Sequence, residues 1–185
     1  MGKWIIIGVV VLIVLIVIYF ISMYNSFVKL RNSVKDQWSQ IDIQLKRRFD
    51  LIPNLVETVK GYAKHENSTL KEVIEARNRF QSATTPEEEM AASGDLNKAL
   101  SRLMVLTESY PELQANQNFL SLQADLKDCE EKIAVARQFY NDTVLNYMNK
   151  REMFPSNIVA SMFGFKEMKY FEITEGEKEA PKVSF

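Results

Sequence analysis

Residues Trp4 to Met23 read WIIIGVVVLIVLIVIYFISM, twenty positions of which eighteen are apolar and none is charged. A run of that length matches the ~20 residues a helix needs to cross a ~30 Å bilayer core. Twelve of the twenty are Ile or Val, residues that favour strands in water. In lipid an isolated strand leaves its backbone N–H and C=O groups unpaired, so a single span must be helical. The run exceeds the ~7–15-residue apolar core of a cleaved signal peptide, and a small-residue cleavage pattern is missing at its exit, which reads Tyr19-Phe20-Ile21-Ser22-Met23-Tyr24. The expectation is an uncleaved anchor over residues 1–24, single-pass in the plasma membrane and in contact with the bilayer through residues 4–23. Tyr19, Phe20 and Tyr24 then mark one interface and Trp4 the other. Lys3 precedes the span, and Lys29, Arg31 and Lys35 follow it. One cation against three places the large domain in the cytoplasm under the positive-inside rule.

Outside the span the composition is that of an ordinary water-soluble domain, and it narrows the choice of folds. The chain has six Gly and five Pro in 185 residues, about half of the roughly 12% of average usage. A loop-rich β-sandwich needs turn residues every ~8–12 positions and is excluded. One Cys allows no intrachain disulfide, and one His allows no metal site that needs two. A net charge of −1 gives no general reason to bind nucleic acid.

The apolar pattern is helical. Phe27, Leu30, Val34, Trp38, Ile41, Leu45, Phe49, Ile52, Val56, Val59 and Ala63 follow in steps of three or four, and stay in phase throughout. Pro53 interrupts this stripe and cannot donate to the carbonyl of residue 49. Either the helix kinks there, which the surviving phase favours, or a new helix begins with Asp50 as its N-cap. The phase continues to Leu70, Val73 and Phe80 across the polar stretch Lys64–Ser68, where Thr69 and Glu72 have capping-box spacing. Thr85-Pro86-Glu87-Glu88 is a second capping box with Pro at the first helical position. The helix it opens carries Leu96, Leu100, Leu103 and Leu106 and should stop near Ser109, before Pro111. From about Glu112 to Glu152 a 3-4-3-4 repeat runs through Phe119, Leu122, Leu126, Cys129, Ile133, Ala136, Tyr140, Thr143 and Tyr147. Pro155 ends it. Ser156 to Phe163 is expected to form a short helix with Gly164 as its C-cap. Stripes this long need partner helices. The predicted fold is all-α, an N-terminal transmembrane helix followed by an antiparallel up-and-down four-helix bundle with long helices over residues 25–172. Residues 173–185 form a charged tail, expected to be disordered. A turn at His65–Ser68 gives four helices; a continuous helix there gives three.

The chain resembles the LemA family of bacterial membrane proteins. The resemblance rests on Tyr24-Asn25, Gln37-Trp38-Ser39-Gln40-Ile41-Asp42, Asp50-Leu51-Ile52-Pro53-Asn54-Leu55-Val56, Val59-Lys60-Gly61-Tyr62-Ala63-Lys64-His65-Glu66, Glu108-Ser109-Tyr110-Pro111-Glu112-Leu113 and Phe163-Gly164-Phe165. It implies a single N-terminal anchor and a four-helix bundle, in a family that includes proteins of magnetosome membranes, and it implies no known reaction. Phe49 departs from the pattern, in which His or Tyr is common.

The candidate partner-binding residues are Lys46, Arg47, Arg48, Pro53 and Asn54. The basic triplet lies about 23 residues past the span, ~35 Å along a straight helix and beyond the ~8 Å reach of the membrane's surface potential. It can dock an acidic partner or pair with carboxylates on neighbouring helices. Pro53 and Asn54 mark a hinge, a partner groove or a packed kink. The candidate membrane-proximal residues are Lys29, Arg31, Lys35, Phe165, Tyr170 and Phe171; the aromatic segment either closes the bundle base, lies on the bilayer or binds a partner. Ser/His/Asp sets, glycine-rich phosphate loops and paired Glu-x-x-His motifs are missing from the sequence. The expectation is a membrane-anchored scaffold or adaptor that presents bundle faces to an unidentified protein or to itself. It is not an enzyme and needs no cofactor or metal. The alternatives are a lipid-remodelling protein and an enzyme using bundle carboxylates.

Overall fold

In a computed structural model of the chain, residues 2–63 and 66–171 are described. They form helices α1 (Gly2–Tyr62), α2 (Asn67–Ser82), α3 (Pro86–Thr107), α4 (Pro111–Gln114), α5 (Gln117–Glu152) and α6 (Ser156–Met162), with no strand among the described residues. The protein is all-α, and α1 contains one stretch long and apolar enough to cross a membrane, with none of that stretch buried against the rest of the chain.

α1 runs unbroken through Pro53. The apolar phase outweighs the hydrogen bond that Pro53 cannot give to Phe49, because Ile52, Leu55, Val56 and Val59 are all buried on one face. Helix α1 ends at Tyr62 and α2 begins at Asn67, so the two stripes belong to separate helices. The Thr69/Glu72 capping box does not form: Glu66 occupies the N-cap and makes no side-chain bond, and Thr69 lies inside the helix. The second capping box forms in full. Thr85 Oγ1 accepts from the Glu88 amide at 3.2 Å and Glu88 Oε2 accepts from the Thr85 amide at 3.2 Å. The helix expected from Glu112 is instead two pieces. α4 is a single turn, and α5 starts at Gln117, where Asn116 Oδ1 accepts from the Phe119 amide at 3.0 Å. Asx side chains favour such caps over helix interiors. His65 and the tail from residue 173 lie outside the described residues.

The described helices distribute over two compact units, one within Met1–Gln37 and Gln138–Tyr170, the other within Trp38–Arg137 and Phe171–Phe185. In the first, Phe27 is fully buried, stacks on Phe165 at 4.7 Å and meets Tyr147 edge-on at 6.1 Å. Gly164 (φ 67°) makes this possible. The Phe165 amide donates to Ala160 O (2.9 Å) and the Gly164 amide to Ser161 O (3.4 Å). This is the paired Schellman closure, which needs a left-handed residue and turns the following side chain onto the helix. The segment after Phe165 follows α5 without helical structure. Tyr147 Oη donates to Lys166 O at 2.7 Å, Tyr140 Oη to Lys169 O at 3.0 Å and Arg151 Nε to Phe165 O at 3.1 Å.

The core of the second unit combines Ile52, Leu55, Val56 and Val59 of α1 with Leu70 and Val73 of α2, Leu96 and Leu103 of α3, Leu113 of α4, and Phe119 and Leu126 of α5. Cross-helix pairs set the directions. Phe49 of α1 meets Phe80 of α2 at 5.3 Å, and Val59 and Leu70 belong to the same core. Arg102–Glu72 (2.8 Å) and Arg79–Asp95 (3.3 Å) make α2 and α3 antiparallel. Asn116 Nδ2–Tyr62 Oη (2.9 Å) and Arg47–Asp128 (3.3 Å) do the same for α1 and α5.

Candidate functional site

The most distinctive polar feature of the second unit is Arg48, 1% exposed and the largest fully buried side chain. Its position follows from the helix period: it lies three residues after Leu45 and four before Ile52, on the same stripe. Its guanidinium is held by three partners from two other helices. Nη1 donates to Asn97 Oδ1 at 2.5 Å and to Glu130 Oε2 at 2.6 Å, and Nη2 donates to Ser93 Oγ at 3.2 Å. Nε has no partner. The planar fork of arginine can serve acceptors on two sides at once, which lysine cannot. Room for it comes from α3, whose inward residues here, Ala92, Ser93 and Gly94, are small and buried. Glu130 also faces Arg137 at 4.0 Å.

Arg48 forms one end of an open groove of about 600 Å³ between α3 and α5. Leu100, Met104 and Leu126 give it apolar walls; Asn97, Ser101, Gln123, Lys127 and Glu130 supply polar groups. A mostly apolar cleft with a few fixed polar groups is the usual form of a binding site.

The other expected site residues fall in three places. Lys46 and Arg47 are exposed and paired, Lys46 with Asp42 one turn back at 2.6 Å and Arg47 with Asp128 at 3.3 Å. The bond from Asp42 raises the Lys46 pKa, and the bond from Lys132 lowers that of Asp128. The basic triplet is therefore divided: two cations sit on the surface, and Arg48 is buried at the wall of the groove, bonded within its own chain. Pro53 and Asn54 are exposed on α1, away from the groove lining. Of the residues expected near the membrane, Phe165 is buried against Phe27, with the Arg31 guanidinium 5.8 Å from its ring centre. Lys29, Lys35 and Tyr170 are exposed. Phe171 is buried in the second unit, stacked on Trp38 at 6.0 Å with Arg137 5.0 Å over its face. Phe165 and Phe171 thus close the packing of their own units.

Sequence reasoning missed Ser93, Asn97 and Glu130. The readable signal was Arg48 itself, a charge in phase with an apolar stripe, which demands buried acceptors somewhere in the chain. Phe49, next to it, is buried under the Arg77 guanidinium at 4.5 Å. Cys129 is fully buried, and burial pushes its thiol pKa up. Among the described residues no group of three or more His, Cys, Asp or Glu could hold a metal ion.

A helical chain with one exposed apolar segment of membrane-crossing length, and a helical unit whose apolar core holds a buried arginine, has the make-up of a membrane-associated all-α protein. The chain belongs to the LemA family, whose sequence profile matches residues 37–185. It is similar to Magnetosome protein MamQ of Magnetospirillum gryphiswaldense, 26% identical over 174 residues that make up 80% of this chain and 64% of the relative. Magnetosome protein MamQ 2 of Paramagnetospirillum magneticum is 26% identical over 175 residues, with the same shares. Protein LemA of Metamycoplasma hominis is 23% identical over 163 residues, covering 86% of this chain and 73% of the relative. The chain spans about 64% of the length of the MamQ relatives it matches.

Proposed function

We propose that this protein is a membrane-anchored helical scaffold that offers the α3–α5 groove to a segment of a partner protein. Residues 4–23 hold it in the plasma membrane by a single pass, with the large domain in the cytoplasm. The second unit is an up-and-down four-helix arrangement of α1, α2, α3 and α5, a reading supported by the cross-helix pairs Phe49–Phe80, Glu72–Arg102 and Tyr62–Asn116. The observation that carries the scaffold reading is the groove. Leu100 and Met104, half-buried against the core, leave apolar surface open beside the buried Leu126, and the Arg48–Asn97–Glu130 bonds fix its polar end. A rigid polar anchor beside an apolar wall lowers the ordering cost of binding. In this reading the protein carries no reaction of its own. The test places a photo-crosslinking residue at Met104 or Gln123, and, for comparison, at Pro53, in cells. A discrete adduct from 104 and 123, absent from 53 and weakened by Lys127→Glu, supports groove binding. Diffuse capture of abundant proteins from all three positions overturns it.

A second reading, a lipid-contacting protein, is favoured by a separate observation: thirteen consecutive residues without a charge, Met153 to Phe165, beside the exit of the span.

A further inference from the structure

The first unit carries an apolar surface that its own packing does not use. Met153, Phe154, Ile158, Met162 and Phe163 are exposed, Phe154 by 80% and Met162 by 62%. Helix α6 already has a core face, since Val159 and Ala160 are buried and Phe165 is folded inward by the Gly164 turn. The outward side chains are therefore surplus to folding. They belong to the run MFPSNIVASMFGF, flanked by Lys150, Arg151 and Glu152 on one side and Lys166 and Glu167 on the other. Large apolar groups with cations at both margins are the composition of an element that lies in a membrane interface.

Position within the unit says what covers this surface. The Lys150 ammonium bonds Ser26 Oγ and lies 5.8 Å from the Phe27 ring centre, so the end of α5 stands beside the first turn of α1 after the apolar run. Helix α5 ends two residues beyond Lys150, ~3 Å further on. The same distance back along α1 from Ser26 reaches Tyr24, next to the run that ends at Met23, and Met153 follows the end of α5 directly. Phe163 confirms the level independently, because its ring packs against Tyr24 at 4.9 Å. Whatever medium surrounds residues 20–24 therefore also surrounds Phe154 and Phe163.

We infer that the α5–α6 corner, Met153 to Phe163, is a second membrane-contact element, embedded in the interfacial layer of the leaflet from which α1 emerges. Phe154, Ile158, Met162 and Phe163 lie among acyl chains, and Lys150, Arg151, Lys166 and Arg31 sit at headgroup level. The occupant is the bilayer, since the surface is continuous with the span at Tyr24 and the cations border it. The inference rests on the reading of residues 4–23 as a membrane span.

The test uses the full chain in phosphatidylcholine–phosphatidylglycerol vesicles. Ile158→Cys and Met162→Cys are labelled with an environment-sensitive fluorophore, alongside Val14→Cys in the span and Ser101→Cys on α3. Cys129 stays unlabelled in the folded protein because it is fully buried and its thiol resists ionisation. Quenching by lipids brominated on their acyl chains is then read at each position. The expected result is blue-shifted emission and quenching at 14, 158 and 162, with 158 and 162 reaching at least half the extent at 14, and neither effect at 101. Quenching at 14 with 158 and 162 behaving like 101 overturns the inference and leaves the anchor standing. A blue shift at 158 and 162 without quenching means that protein covers them, and also overturns it. Loss of quenching at 14 removes the anchor and the inference together.

Discussion

Glu130→Gln should damage the second unit more than Arg48→Met, although both break the same ion pair. The asymmetry comes from burial: Arg48 is 1% exposed and Glu130 44%. Two unit charges ~4 Å apart attract by about 4 kcal/mol at an effective dielectric of ~20. Without the carboxylate, Arg48 keeps its charge in the interior with only Asn97, Ser93 and a neutral amide as partners. Breaking a buried pair in this way costs ~3–5 kcal/mol. We place Glu130→Gln at about 3 kcal/mol, the low end of that range, because the lost carboxylate was half in water. Arg48→Met keeps most of the apolar stem and removes the buried charge, and Glu130 turns to solvent. What is lost is the bonding to Asn97 and Ser93, about 1–2 kcal/mol in all. The double variant should resemble Arg48→Met alone, so the coupling has the size of the Glu130→Gln effect, ~3 kcal/mol. A single melting temperature is ill-defined for a chain of two units, so the assay is amide hydrogen exchange in α3 around Ser93–Asn97, on the full chain in detergent. Exchange should accelerate about 100-fold in Glu130→Gln and about 10-fold in Arg48→Met. Faster exchange in Arg48→Met than in Glu130→Gln, or near-native exchange in Glu130→Gln, would refute the argument.

Gly164→Ala should destabilise the first unit by about 1–2 kcal/mol, the cost of a left-handed L-residue, since an added Cβ meets nothing within 4 Å and only the backbone objects. Gly61→Ala, in the last turn of α1 and equally uncrowded, should instead stabilise by up to about 0.5 kcal/mol, the low end of the helix-interior gain; hydrogen exchange of each unit reads both. Thr85→Ala should cost ~0.5–2 kcal/mol through the lost cap of α3, seen as faster exchange of the amides at Glu87 and Glu88. The cap also holds the Glu88 carboxyl below its usual pKa through the Thr84 and Thr85 bonds. That contribution is present above the unfolded pKa and is lost as pH falls through the lowered one. Glu89 behaves oppositely: burial first, then the charge of Asp42, raises its pKa. Its folded pKa lies above the unfolded one, so stability falls as pH rises through it. Glu89→Gln should match the native protein in acid and exceed it in stability near neutral pH, as measured by the protection factors of α3 amides across that pH range.

The long-range periodicity made most of the helices legible. Every stripe residue from Phe27 to Ala63 and from Phe119 to Tyr147 is buried or half-buried, because helical phase records which face meets the core. Local end signals were legible only where their chemistry was unambiguous. The Thr85–Glu88 box and Gly164 behave as read, whereas Thr69/Glu72 has the spacing of a box inside a helix that starts earlier. The break before Gln117 was missed because Leu113 and Phe119 are both buried across it, so the apolar pattern continues where the backbone does not. At the site, charge identity misled. Lys46, Arg47 and Arg48 look alike as a triplet, but successive helical positions turn by ~100°, and only Arg48 shares the buried face. Its acceptors Ser93, Asn97 and Glu130 lie 45, 49 and 82 residues away, and periodicity within one helix carries no information about such pairings.

A single span that tethers the helical domain on the cytoplasmic side can be tested by labelling Gly2→Cys and Ser101→Cys with a membrane-impermeant maleimide. Residue 2 should react in intact cells stripped of their outer barrier, and residue 101 only after lysis. Reaction of residue 101 in the intact cells, or identical behaviour of the two positions, would contradict it.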